Sequence, residues 1–140
     1  MSIVTPLIPG AKVVDLFAGS GALGLEALSR GAAFCDFVDV SAASLRAVRE
    51  NATTLGAMPL LAMHKGDAVA FARRLGAGSY DLAFADPPYH LGLAAQLAEL
   101  WSGCPFAHVL GVEHDAHDAM PAGGDTRRYG QTAVTIFGRH

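Results

Sequence analysis

The sequence predicts an α/β fold, a doubly wound and mostly parallel sheet, from three observations. Short apolar runs alternate with segments whose apolar residues recur every three or four positions, the pattern of strands joined by helices. The first run, Val13, Val14, Leu16 and Phe17, is interrupted only by Asp15, as expected of a strand covered on both faces. Glycines at Gly19, Gly21 and Gly24 then separate this run from the first helical segment. Such a turn puts a ligand site beyond the carboxyl ends of the strands.

Length and composition set the frame. The 140 residues are read as a single domain spanning 1–140. A hydrophobic content of 51% with 16% charged residues describes a core-rich chain rather than a disordered one. Ten basic against thirteen acidic residues give a net charge of −3, which is not the basic footprint of a nucleic-acid binder. Cys35 and Cys104 form no C-x-x-C pair and are read as buried thiols of a cytoplasmic protein. No apolar run is long enough to span a membrane, and no charged-then-apolar leader opens the chain. A cytoplasmic monomer is expected.

The entry, Met1–Gly10, holds Pro6 and Pro9, so Ser2–Val4 is at most the stump of a helix. After the glycine loop, Leu23, Ala27 and Leu28 give a helix its apolar stripe, with Glu26 and Arg30 paired and Gly31 as the stop. Phe34–Val40 reads as the second strand, with Asp39 near its end. Ser41 should cap a helix carrying Leu45, Val48, Ala52 and Leu55 on one face and stopping at Gly56. Pro59–His64 reads as a third strand, Asp67 as the cap of a helix over Val69–Leu75, and Tyr80–Ala85 as a fourth strand. Leu93, Leu97, Leu100 and Trp101 mark another helix, and Phe106–Val112 a fifth strand. Thr126–Tyr129 and Thr132–Phe137 flank Gly130-Gln131 as a terminal hairpin.

This arrangement sets Asp15, Asp39, Asp67 and Asp86 at or just past the ends of four successive strands. Gly19-x-Gly21-x-x-Gly24, with Asp39 twenty residues after Gly19, also fits the dinucleotide fingerprint. Asp15 argues against a dinucleotide, because a carboxylate beside a pyrophosphate repels it. A ligand bearing an ammonium or a sulfonium gains from the same carboxylate. S-adenosylmethionine carries both cations and no phosphate. Ribose hydroxyls still want an acid at the end of the second strand, where Asp39 stands.

The fourth strand runs into Asp86-Pro87-Pro88-Tyr89. Two prolines there fix the chain, holding the Asp86 carboxylate and the Pro87 carbonyl at the sheet edge. These two acceptors suit the two hydrogens of a planar exocyclic amine. They would aim its lone pair at an electrophile and draw off charge as the bond forms. Tyr89 offers a flat face for stacking a base.

Asp15–Ala32, DLFAGSGALGLEALSRGA, together with DPPY at Asp86–Tyr89, resembles the RsmD-type methyltransferases. Arg127–Thr132 is similar to that family's closing segment. The resemblance covers nearly the whole chain, and DPPY by itself is shared by many amino-group methyltransferases. It implies a Rossmann-like methyltransferase fold of seven strands with the last antiparallel. It implies methyl transfer from S-adenosylmethionine to the N2 amine of one guanine in bacterial small-subunit (16S) ribosomal RNA. The partner is then ribosomal RNA or the small ribosomal subunit. By position, Asp15, Gly19 and Gly21 would line the methionine end of the cofactor, and Phe17 would also contact the cofactor. Asp39 would hold the ribose, and Asp67 the adenine amine with Ala68 beside it. Asp86, Pro87 and Tyr89 would hold the guanine. Asp39 replaces the family's usual Glu, a shorter reach to the ribose. Met1 falls partway into the family pattern, so a chain truncated before an arginine-rich segment is expected, one that keeps its cofactor fold and binds RNA poorly.

Other features are read more plainly. Glu113, His114, Asp115, His117 and Asp118 offer metal-ligand atoms but are expected in a solvated loop, with no metal. His90 lies near the target corner, and methyl transfer does not need it. Arg127 and Arg128 either touch phosphate or guard an edge strand. The alternatives are a cofactor-binding module with weak or lost catalysis, a DPPY enzyme acting on another nucleic acid, and a nicotinamide-dependent oxidoreductase.

Overall fold

The computed structural model describes residues 4–138. Seven strands form one sheet in the order β3-β2-β1-β4-β5-β7-β6. They are β1 (Lys12–Leu16), β2 (Phe34–Asp39), β3 (Leu61–Lys65), β4 (Tyr80–Ala85), β5 (Ala107–Asp115), β6 (Asp125–Tyr129) and β7 (Thr132–Gly138). The pairs among β1 to β5 are parallel, and β7 runs antiparallel to both β5 and β6. Four helices connect the parallel strands: α1 (Ala22–Ser29), α2 (Ala42–Leu55), α3 (Ala68–Arg73) and α4 (Leu93–Gly103).

Alternation along the strands splits the core in two. Val13, Cys35, Phe37, Leu82 and Phe84 pack with Leu25 and Leu28 of α1 and Val48 of α2. Val14, Leu16, Val38, Ala83 and Ala85 pack with Val69 of α3 and Leu97 of α4. Both faces of the sheet are therefore covered, which is why the strands read as continuous apolar runs. The strand order reverses between β1 and β4, where a doubly wound sheet opens a crevice at its carboxyl end.

Local sequence decides most boundaries. Ser41 Oγ accepts the Ser44 N–H at 3.1 Å, and Gly56 ends α2 in the left-handed region. Asp67 Oδ1 accepts from the N–H groups of Val69 and Ala70 at 2.8 and 3.2 Å, so the aspartate does cap α3. That helix starts at Ala68 and stops at Arg73, short of the expected Leu75.

Other expectations need correction. Phe17 is not in β1: the strand ends at Leu16, and Phe17 turns the chain at φ +57. Val40 lies beyond the end of β2 and is exposed. Pro59 lies in a 3-10 turn, Met58–Leu60, because proline cannot supply a ladder N–H; β3 begins only at Leu61. Phe106 precedes β5, and β5 continues to Asp115 because β7 pairs with it over Val109–Asp115. The suggested helix stump at Ser2–Val4 lies mostly outside the described residues; a 3-10 turn follows at Thr5–Leu7. Cys35 is buried as expected, whereas Cys104 is only partly so. Among the described residues no helix is long and apolar enough to cross a membrane.

Candidate active site

A cleft of about 810 Å³ opens at the carboxyl end of the sheet, over the switch between β1 and β4. The four strand-end acids, Asp15, Asp39, Asp67 and Asp86, all line it. Phe17, Gly19, Ala68, Pro87 and Tyr89 line it as well.

Asp15 forms part of the floor and is 1% exposed. It takes the N–H of Gly24, in the first turn of α1, at 3.0 Å. This bond and the positive end of the helix make a buried acid tolerable there. They do not fully compensate for it: burial pushes its pKa from 3.8 up to about 8, the Gly24 hydrogen bond pulls it partly back, and the charges of Asp86 and Asp39 push it further.

The glycine loop is held by the protein itself. Gly19 N–H goes to Asp39 Oδ2 at 2.9 Å, and Ser41 N–H to Asp39 Oδ1 at 2.8 Å. Asp39 thus ties the loop after β1 to the end of β2. The N–H groups of Gly19 in the loop and Gly24 in α1 both serve acids of the chain. Gly21 does not line the cleft. It caps α1 at φ +83, and a Cβ there would come within 2.9 Å of Val48. A Cβ on Gly24 would strike the Phe37 ring and lie 2.8 Å from Cys35 Sγ. Both glycines therefore let α1 seat closely on β2.

The Asp-Pro-Pro-Tyr corner leaves β4 at the crevice. Asp86 N–H reaches back to the Leu16 carbonyl at 3.4 Å, and burial raises the pKa of its carboxyl above the usual range. Pro87 is buried, while Tyr89 is half-buried with its hydroxyl 3.0 Å from Thr132 Oγ1 of β7. The phenol is thereby pinned at one end, leaving the ring on the cleft wall. His90, at φ +67 and largely exposed, lies 3.9 Å from Asp115.

Glu113 belongs to the site, which the sequence does not reveal. The loop expected over Glu113, His114, Asp115, His117 and Asp118 is not a loop at its start: Glu113, His114 and Asp115 lie within β5. His114 is buried, bonded through Nε2 to Thr135 Oγ1 at 2.7 Å and through Nδ1 to the Asp115 carbonyl at 2.8 Å. Among the described residues no group of three or more His, Cys, Asp or Glu side chains could hold a metal ion. Glu113 instead lines the cleft beside Asp86 and Tyr89; burial and the Asp86 charge raise its pKa, and a hydrogen bond from Tyr89 lowers it. Only the β4–β5 register reveals this position, and single-strand periodicity does not carry that information. Arg127, Arg128 and Tyr129 lie exposed on β6, at the sheet edge.

A family model described as "Conserved hypothetical protein 95" matches residues 1–137. "Putative rRNA methyltransferase YlbH" of Bacillus subtilis (strain 168) is 33% identical over 150 residues, covering 97% of this chain and 80% of that protein. "Ribosomal RNA small subunit methyltransferase D" of Escherichia coli (strain K12) is 36% identical over 97 residues, covering 69% of this chain. That match spans about half of the relative's own length, 48%. Among solved structures, "Putative methyltransferase yhhF from Escherichia coli" superposes with a TM-score of 0.82 at 29% identity, over 99% of this chain and 82% of that one.

Proposed function

The chain belongs to the conserved hypothetical protein 95 family, and from that premise we propose that it methylates the N2 amine of a guanine in small-subunit (16S) ribosomal RNA, using S-adenosylmethionine. The names of both relatives support an RNA methyltransferase. The observation that carries the chemistry is that Asp15 and Asp86 line one cleft, a buried acid on its floor and a proline-fixed acid at its rim.

The residues fit the cofactor. A buried carboxylate with a pKa of about 8 is an expensive feature for an empty floor, and a cation placed against it recovers that cost. S-adenosylmethionine supplies, when bound, a methyl group on a sulfonium. Asp15 would face the ammonium, with Phe17 and Gly19 along the methionine end and Gly21 holding the loop in place. Asp39 would receive the ribose hydroxyls on lone pairs left free by its two backbone bonds. Asp67 caps α3 through one oxygen and would take the adenine amine with the other, Ala68 lying alongside.

At the target side, the Asp86 carboxylate and the Pro87 carbonyl would accept the two amine hydrogens. That turns the nitrogen lone pair toward the methyl group and leaves no conformational search for the transition state. As the new bond forms, the nitrogen gains positive charge and its hydrogens become more acidic. A carboxylate of raised pKa is the better acceptor for them. Tyr89 would stack on the base, and the released proton passes to solvent.

The test is transfer of labelled methyl groups to small ribosomal subunits that lack the modification, followed by digestion to nucleosides. Label in N2-methylguanosine is expected; label confined to another nucleoside contradicts the reading.

A further inference from the structure

We propose that Glu113 selects guanine at this site by accepting the hydrogen on ring nitrogen N1, next to the amine held at Asp86. The inference rests on the guanine reading above and adds a specificity-determining residue to it.

The register brings the two acids to the same place. Ala85, the last residue of β4, pairs with Val112 of β5, and Asp86 and Glu113 are the residues that follow them, close enough for the Asp86 charge to act on Glu113. Phe84 pairs with Gly111, so both acids continue the row on the α1 side of the sheet, the side to which Asp15 also points. Both line the cleft. Neither forms an ion pair among the described residues. Two neighbouring carboxylates without a cation repel each other.

Glu113 also has the Tyr89 hydroxyl as a neighbour, which pulls its pKa back down, and that hydroxyl lies 3.0 Å from Thr132 Oγ1 of β7. An ionised carboxylate only accepts hydrogen bonds. Two such acceptors side by side call for two adjacent donors on one rigid plane. The guanine edge presents them: N1–H beside the N2 amine. Adenine and 2-aminopurine carry a lone pair at N1, which Glu113 would repel. Enzymes read an unstacked base in this way, through its Watson–Crick edge.

The test uses short RNAs in which a single guanine is replaced by 2-aminopurine, which keeps the N2 amine and lacks N1–H. Wild-type chain with labelled S-adenosylmethionine should favour the guanine RNA by at least about tenfold. Glu113→Gln, whose amide can donate to N1, should lower that preference at least about tenfold while cofactor affinity is unchanged. An unchanged preference, or an equal loss on both RNAs, overturns the inference. If wild type methylates subunits but neither short RNA, the subunits are the readout. Glu113→Gln must then lower kcat/KM on them at least about tenfold with cofactor affinity intact, and no such loss overturns the inference. Wild type inactive on all three removes the guanine reading, and the inference with it.

Discussion

Asp15→Asn should make the ligand-free chain more stable and the cofactor site worse. Asp15 has an ordinary pKa of 3.8 when unfolded and about 8 in the folded chain. At pH 7 the unfolded chain is ionised there and the folded chain is mostly protonated. Holding that proton over about three pH units, at ~1.4 kcal/mol each, lowers stability by roughly 4 kcal/mol relative to an uncharged residue. Because the folded value lies above the unfolded one, the loss is absent below about pH 4, grows up to about pH 8 and is constant beyond. Asparagine keeps an oxygen for the Gly24 N–H but puts an amide NH2 where the buried carboxyl group had been, at a cost of about 1–2 kcal/mol. The net gain at pH 7 is then about 2–3 kcal/mol, or roughly 5–10 °C in the midpoint of thermal unfolding. Circular dichroism melts at pH 4, 7 and 8.5 check this: the variant should gain nothing at the lowest pH and most at the highest. A shift independent of pH, or a variant less stable at pH 8.5, refutes the reasoning. Calorimetry with S-adenosylmethionine completes the test. Wild type should release a proton on binding at pH 7, and the variant should bind more than about tenfold more weakly.

Asp86→Ala should lower methyl transfer by about 10²–10³-fold with little change in cofactor affinity, measured by single-turnover labelling and calorimetry. Wild-type turnover should also fall on acidification at a higher pH than an ordinary carboxylate would give, because burial raises the Asp86 pKa and the ionised group is the stronger acceptor for its amine hydrogen. Gly24→Ala should shift urea unfolding by about 1–3 kcal/mol, since the new Cβ meets Phe37 and Cys35. Asp39→Ala leaves the N–H groups of Gly19 and Ser41 without their acceptor; a loss of about 1–3 kcal/mol and weaker cofactor binding are expected by thermal melts and calorimetry.

The strand and helix alternation was readable because each element is decided locally. Ser41 and Gly56 bound α2 by capping, and Tyr80–Ala85 is β4 to the residue because Gly76 and Gly78 precede it and two prolines follow. What escaped depends on distant pairing. The last residues of β5 read as a polar loop, Glu113-His114-Asp115, yet β7 pairs with all three and Thr135 takes up the His114 ring. Polar letters in a buried strand reflect partners that periodicity cannot see. The same is true at the site. Four acids at strand ends follow from the chain order alone, so the cleft was legible. That Gly21 and Gly24 serve the packing of α1, that Asp39 ties down the loop, and that Glu113 stands beside Asp86 all require the sheet register and helix placement. Pro59 misled in the opposite sense: an apolar run looked like a strand start, and its missing N–H sent the chain through a 3-10 turn.

The most direct measurement is a crystal structure of the chain with S-adenosylhomocysteine, the demethylated cofactor. The ammonium is expected against Asp15, the ribose at Asp39, and the sulfur facing the gap between Asp86 and Pro87. Density for the ligand outside this cleft, or a sulfur turned away from Asp86, would contradict the proposal that one rim joins the methyl donor to its amine.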